Sequence, residues 1–156
     1  MRLILANESH IFGIKCLLTR NFDEVLSKAH SPEIVKKFKE ELSTENLTLQ
    51  LSRKKVYVMV DDATVIGTGA FANFGTREQP KWSVSNLYVL PENHRQGIGK
   101  QLIERLIQDA QYESAKELHV PSSRNAVGFY QKMGFVIDSA QPDFADEITW
   151  MTLALG

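Results

Sequence analysis

The apolar positions of this chain change period along its length, and each change marks an element. Arg2 to Ala6 predicts a short strand. From Glu8 to about Arg20, Ile11, Ile14, Leu17 and Leu18 recur at the spacing of a helix that buries one face. Ser31-Pro32-Glu33 is a helix start, serine capping and proline in the first turn. Ile34, Val35, Phe38 and Leu42 carry that helix to about Leu42, with Lys36, Lys37, Lys39, Glu40 and Glu41 as its solvated face. Val56 to Val60 is apolar and mostly β-branched, so both faces of that strand are expected to be covered. Asp61-Asp62-Ala63 turns the chain, and Thr64 to about Phe74 returns as partner. Gly67 and Gly69 within it predict a bulge or close packing. Asn73 to Pro80 is a polar loop, and Lys81 to Val89 the next strand, stopped at Pro91.

Ile98, Leu102, Leu106 and Ala110 then recur every four residues, with Ile103 and Ile107 beside them, predicting a long helix. Glu117 to Val120 predicts a short strand cut by Pro121, and Ser122-Ser123-Arg124-Asn125 offers helix caps. Ala126, Phe129, Tyr130 and Met133 share a face of the next helix, which Gly134 stops. Phe135 to Ile137 and roughly Ile148 to Leu155 are the closing strands. The order predicts an α+β domain in three layers, a mixed sheet of about six to seven strands flanked by about four helices. No repeat or linker divides residues 1–156, so one domain is expected.

Composition narrows the function classes. Hydrophobic residues at 43% and charged ones at 24% are those of a globular protein. A net charge of -1 gives no electrostatic case for nucleic acid or an anionic membrane as partner. No apolar run approaches a bilayer span, and Met1 to Ala6 is too short for a signal core. The single cysteine, Cys16, makes no internal disulfide, which favours a cytoplasmic home. Lying beside apolar residues in a helix, it is expected to pack. The chain is expected to act as a monomer or homodimer.

Candidate chemistry concentrates at LYVLPENHRQGIGKQLIERL, residues 87–106, where a strand becomes a helix across a loop with Gly97 and Gly99. Glycines let backbone approach a ligand, and free amides at a helix start favour an anion such as phosphate. A dinucleotide fingerprint needs a third glycine where Leu102 stands. A Walker loop needs Ser or Thr after Gly99-Lys100, where Gln101 stands. A glycine turn that only packs helix on sheet is the plainer alternative.

Strand, proline, polar loop, Gly-x-Gly, helix is similar to the acetyl-coenzyme A signature of the GNAT superfamily of N-acetyltransferases, Gln/Arg-x-x-Gly-x-Gly/Ala. Gly97 and Gly99 match it, while His94 holds the first position, with Arg95 following. NAVGFYQKMGF, residues 125–135, resembles the family's later motif. The resemblance covers residues 56–135 well and implies acetyl-coenzyme A as cofactor and an amine of a small molecule or peptide as acceptor, attacking directly in a ternary complex. It implies that the backbone of Leu87, Tyr88 and Val89 pairs with the pantetheine arm and polarises the thioester. His94, Arg95, Gln96, Gly97, Ile98, Gly99 and Lys100 would hold the pyrophosphate, Lys132 or Arg124 the 3′-phosphate, and Asn125 the arm. Tyr130 matches the family's general acid. A phenol titrates near pH 10 and is protonated at neutral pH.

Some family members carry a carboxylate or histidine base on the strand before the loop. Lys81 to Leu90 offers only Ser83, Ser85 and Asn86, so no base is expected there. His119 titrates in the useful range and is the first candidate, with Glu147 and Glu78 behind it. Water, or an acceptor of low pKa, would remove the need. Phe74, Trp82, Phe144 and Trp150 are candidate acceptor-pocket aromatics, and no metal site is expected. A non-catalytic acyl-coenzyme A binding or protein-interaction module on the same scaffold is the alternative.

Overall fold

In the computed structural model, which describes residues 1–143 and 145–156, successive residues of one strand meet helices on opposite faces of the sheet. Gly67 and Gly69 of β3 (Thr64–Asn73) face Ile98, Leu102 and Leu106 of helix α4 (Ile98–Tyr112). Thr68 and Ala70 between and beyond them face Ile14 and Leu18 of α1 (Ile11–Glu24) and Leu47 of α3 (Thr44–Arg53). That alternation makes three layers. The expected close packing at the glycines is therefore real: a methyl group at Gly67 would come within 2.9 Å of Ile98 Cγ2.

Among the described residues, seven strands form the sheet. The remaining six are β1 (Arg2–Leu5), β2 (Lys55–Asp61), β4 (Trp82–Val89), β5 (Glu117–Ser122), β6 (Val136–Asp143) and β7 (Ile148–Ala154), in the order β1-β2-β3-β4-β5-β7-β6. Every neighbouring pair is antiparallel except β4 with β5, which are joined by the α4 crossover. Helices α2 (Pro32–Glu40) and α5 (Val127–Lys132) complete five helices among the described residues. The core runs through α1, β2–β5 and α4, with Leu17, Leu18, Val58, Leu102, Leu106 and Leu118 fully buried.

Three departures from the expected elements have physical causes. The fifth helix is α3, capped by Ser43, whose hydroxyl accepts from Asn46 N at 3.1 Å. Only Leu47 of α3 is buried, so its apolar stripe is too narrow to stand out. Pro121 does not end β5: it pairs with Trp150 on β7. It lies beyond the last β4–β5 partner, so its missing N–H breaks no ladder on that side. Cys16 is exposed rather than packed. It falls with Phe12 on the outer side of α1, opposite the Ile14, Leu17 and Leu18 stripe.

Candidate functional site

β4 and β5 share a single register pair, Ser83 with His119, and then diverge. A bulge widens the gap. Thr68 opposes Tyr88 and Ala70 opposes Ser85, so two residues of β4, Asn86 and Leu87, stand against Gly69 alone, with Asn86 at φ 51°. The divergence opens a cleft of about 470 Å³ walled by Val84 to Val89, by Val120 and Pro121, and by Phe129 and Tyr130. Its mouth is the loop from Asn93 to Lys100.

That loop is a set of backbone donors. Arg95 at φ 65° and Gly97 at φ 78° turn it back on itself. Among the described residues, none of the amides of Arg95 to Lys100 has a partner in the chain. Six free donors at the positive end of a 15-residue helix are what an anion would need there. Gly97 is there for its conformation, since a methyl group would meet nothing within 4 Å. Gly99 serves a different need, because a Cβ would press to 3.3 Å on the Phe129 ring. His94 folds back so that its Nε2–H donates to the Val89 carbonyl at 2.9 Å, where the buried Asn21 amide also donates at 3.0 Å. The two donors lock the loop and α1 to the end of β4.

Tyr130 is 4% exposed, packed edge-on against Phe129 and Phe135. Among the described residues its hydroxyl has no hydrogen-bond partner, yet it is not sealed from solvent, so it opens into the cleft. Burial pushes the phenol well above its ordinary value, and the neighbouring Tyr88 phenol raises it further. Tyr88, also a wall residue, is raised by burial alone.

Not every expected residue reaches the cleft. Leu87, Tyr88, Val89, His94, Arg95, Gly97, Ile98, Gly99, Lys100 and Asn125 line it. Gln96, at the mouth, instead accepts from Asn93 Nδ2 at 3.3 Å, and Lys132 lies exposed outside the walls. Arg124 turns to the Ala29 carbonyl at 2.9 Å. His119 stands outside the walls as well, its Nε2 3.1 Å from Glu117 and its Nδ1 3.2 Å from Gln141 Nε2. Glu147 is occupied by Ser31 N at 2.9 Å and His30 at 3.2 Å, and Glu78 sits in the exposed loop before β4. Trp82 stacks on Phe71 at 5.0 Å, while Phe74 and Trp150 lie beneath lysine ammoniums. Phe144 is outside the described residues. Asn21, Val25 and Leu26 are walls that sequence reasoning missed. Asn21 left one signal, a polar residue in register with the buried Ile14, Leu17 and Leu18 stripe.

A three-layer mixed sheet that splays at its one parallel junction, with a cradle of free amides at the mouth of the splay, is the architecture of the GNAT acyltransferases. Residues 26–155 match the family described as acetyltransferase (GNAT) domain. The chain belongs to that family, whose acyl donor is acetyl-coenzyme A. It is similar in fold to the PaiA N-acetyltransferase of Thermoplasma acidophilum in complex with coenzyme A, with TM-score 0.84 and 19% identity over 99% of this chain and 98% of that one. A GCN5-related N-acetyltransferase structure from Rhodopseudomonas palustris gives TM-score 0.82 and 19% identity over 99% and 95%. A GNAT-family acetyltransferase from Staphylococcus aureus gives 0.75 and 12% over 99% and 99%. At such identities these likenesses establish the fold alone. Among the described residues no helix is long and apolar enough to cross a membrane, and no group of three or more His, Cys, Asp and Glu could hold a metal ion.

Proposed function

We propose that the chain moves an acetyl group from acetyl-coenzyme A to a primary amine of a small molecule or peptide, by direct attack in a ternary complex, with Tyr130 as general acid. The observation that carries this reading is the Tyr130 hydroxyl, which has no hydrogen-bond partner among the described residues and faces the cleft whose mouth carries the free amides. The residues present fit the cofactor. The free amides of Arg95 to Lys100 suit a pyrophosphate, with Arg95 and Lys100 adding charge, and the bulged edge of β4 suits an extended arm. When bound, acetyl-coenzyme A supplies a thioester carbonyl and a thiolate leaving group. The backbone of Leu87 to Val89 would orient and polarise that carbonyl. As the amine nitrogen forms its bond to the carbonyl carbon, the carbon–sulfur bond breaks, and Tyr130 gives its proton to the sulfur. The amine's surplus proton, relayed through water, would return to the phenolate oxygen and restore Tyr130.

The same cleft supports a second reading. Among the described residues no carboxylate lines it, and its one histidine, His94, is engaged with the Val89 carbonyl. That favours a non-catalytic acyl-coenzyme A binding module. A thiol-release assay with acetyl-coenzyme A over an amine panel separates the two: steady turnover with any acceptor excludes the module, and binding without turnover across the panel excludes the enzyme.

A further inference from the structure

Lys54, at the end of α3, is a half-buried cation that reaches the wall of the cleft. Its Nζ donates to Ser85 Oγ at 2.9 Å, and Ser85 is a cleft wall. The Phe74 ring lies 5.1 Å from the same ammonium. Among the described residues Lys54 makes no ion pair. Burial lowers its pKa, opposed only by Glu41 acting at a distance. Lys81, one residue before β4, also has neutral partners: its Nζ sits 3.9 Å over Trp150 and donates to the side-chain amide oxygen of Gln141. The carboxylates nearby are already occupied. Glu117 holds His119, and Asp138 accepts from Gln141 Nε2 at 2.6 Å and Ala140 N at 3.0 Å. Lys54, an ammonium with neutral partners, therefore touches the wall of a cleft that no described carboxylate lines.

We propose that the acceptor amine carries an anionic group, a carboxylate or a phosphate, and that Lys54 is the specificity-determining residue that receives it beside Ser85. The inference rests on the acetyl-transfer reading and narrows its acceptor. A half-buried ammonium without a counter-charge has lost hydration and gained no Coulomb partner, so an arriving anion recovers more there than at an exposed lysine. The same charge works against a polycationic acceptor, which would meet the Lys54 ammonium and no described carboxylate.

Matched amines test this in the thiol-release assay with acetyl-coenzyme A: β-alanine against propylamine, phenylalanine against phenethylamine, phosphoethanolamine against ethanolamine. The acid-bearing member of at least one pair should be favoured about tenfold or more in kcat/KM, and the pair concerned tells carboxylate from phosphate. Lys54→Met should reduce that ratio to near unity, mainly through KM, and Lys54→Arg should keep it. Coenzyme A affinity by calorimetry should stay unchanged in both. If Lys54→Met fails to fold, the wild-type ratio should still fall as ionic strength rises. Equal or better use of the bare amine in every pair, or a ratio that survives Lys54→Met or is insensitive to salt, overturns the proposal while acetyl transfer stands. No turnover with any amine overturns both.

Discussion

Tyr130 is held by packing rather than by hydrogen bonds, its ring 5.2 Å from Phe129 and 5.5 Å from Phe135. Because burial raises its pKa above the ordinary 10, it stays protonated throughout the neutral and mildly alkaline range. Tyr130→Phe keeps that packing and removes the proton. It should lower kcat by about 10²-fold while coenzyme A affinity stays within a few fold, and unchanged turnover at every pH would remove the acid role. The two glycines of the loop separate by mechanism. Gly99→Glu presses on Phe129 and sets a negative charge at the cradle, so calorimetry should find coenzyme A binding lost; unchanged affinity would sink the cradle assignment. Gly97→Ala meets no neighbour and should cost only the strain of a left-handed residue, about 1–2 kcal/mol. Both glycines were readable from the motif, but their different jobs were not, since the Phe129 contact comes from a residue 30 positions away.

At the scale of elements, the position of the cradle depends on how α4 seats on β3. Gly67→Ala would place a methyl 2.9 Å from Ile98 Cγ2 and 3.1 Å from Leu102, at the first turn of α4. Overpacking of this kind costs about 1–3 kcal/mol. Because the turn that shifts also carries the amides, coenzyme A affinity should fall with Tm. Leu106→Ala, two turns further on and fully buried, should cost about 2–5 kcal/mol in stability and leave affinity nearly intact. Denaturant melts and calorimetry on both variants check the split, and equal effects on affinity would contradict it. Elements with wide apolar stripes, such as α1 and α4, were legible because burial on one face enforces the period. The narrow α3 was not, and Pro121 misled because a proline is compatible with a strand wherever its neighbour has parted.

For the whole molecule, His30 joins the segment after α1 to the loop before β7 and to the segment around Arg124, whose neighbour Asn125 lines the cleft. Its Nδ1–H donates to Glu147 at 3.2 Å while Nε2 accepts from Arg124 N at 3.1 Å, an arrangement open only to the neutral ring. Burial holds its pKa below the ordinary 6.5, and the Ser31 amide holds Glu147 below 4.5. In the unfolded chain both groups take up protons that the folded state refuses. Their stabilisation is complete above about pH 6.5, falls first as His30 is forced to charge, and falls again below about 4.5 as Glu147 is protonated. Tm should decline across those two windows. Glu147→Gln should melt below wild type at pH 7, and the difference should shrink toward about pH 3. A gap that stays constant with pH would refute the linkage.

The sequence by itself determined most of the elements, their order and the glycine turn that opens the long helix, because periodicity, capping and glycine placement are local properties of the chain. It also located Tyr130 through its motif. Tertiary structure decided which residues meet. It set the single Ser83–His119 pairing that opens the cleft, the bulge at Asn86 and Leu87, and the entry of Asn21 into the wall. It moved His119 out of the walls and placed Lys54 against Ser85. Each of these is a contact between residues far apart in the chain, decided by how strands diverge and helices seat, and no local pattern encodes that.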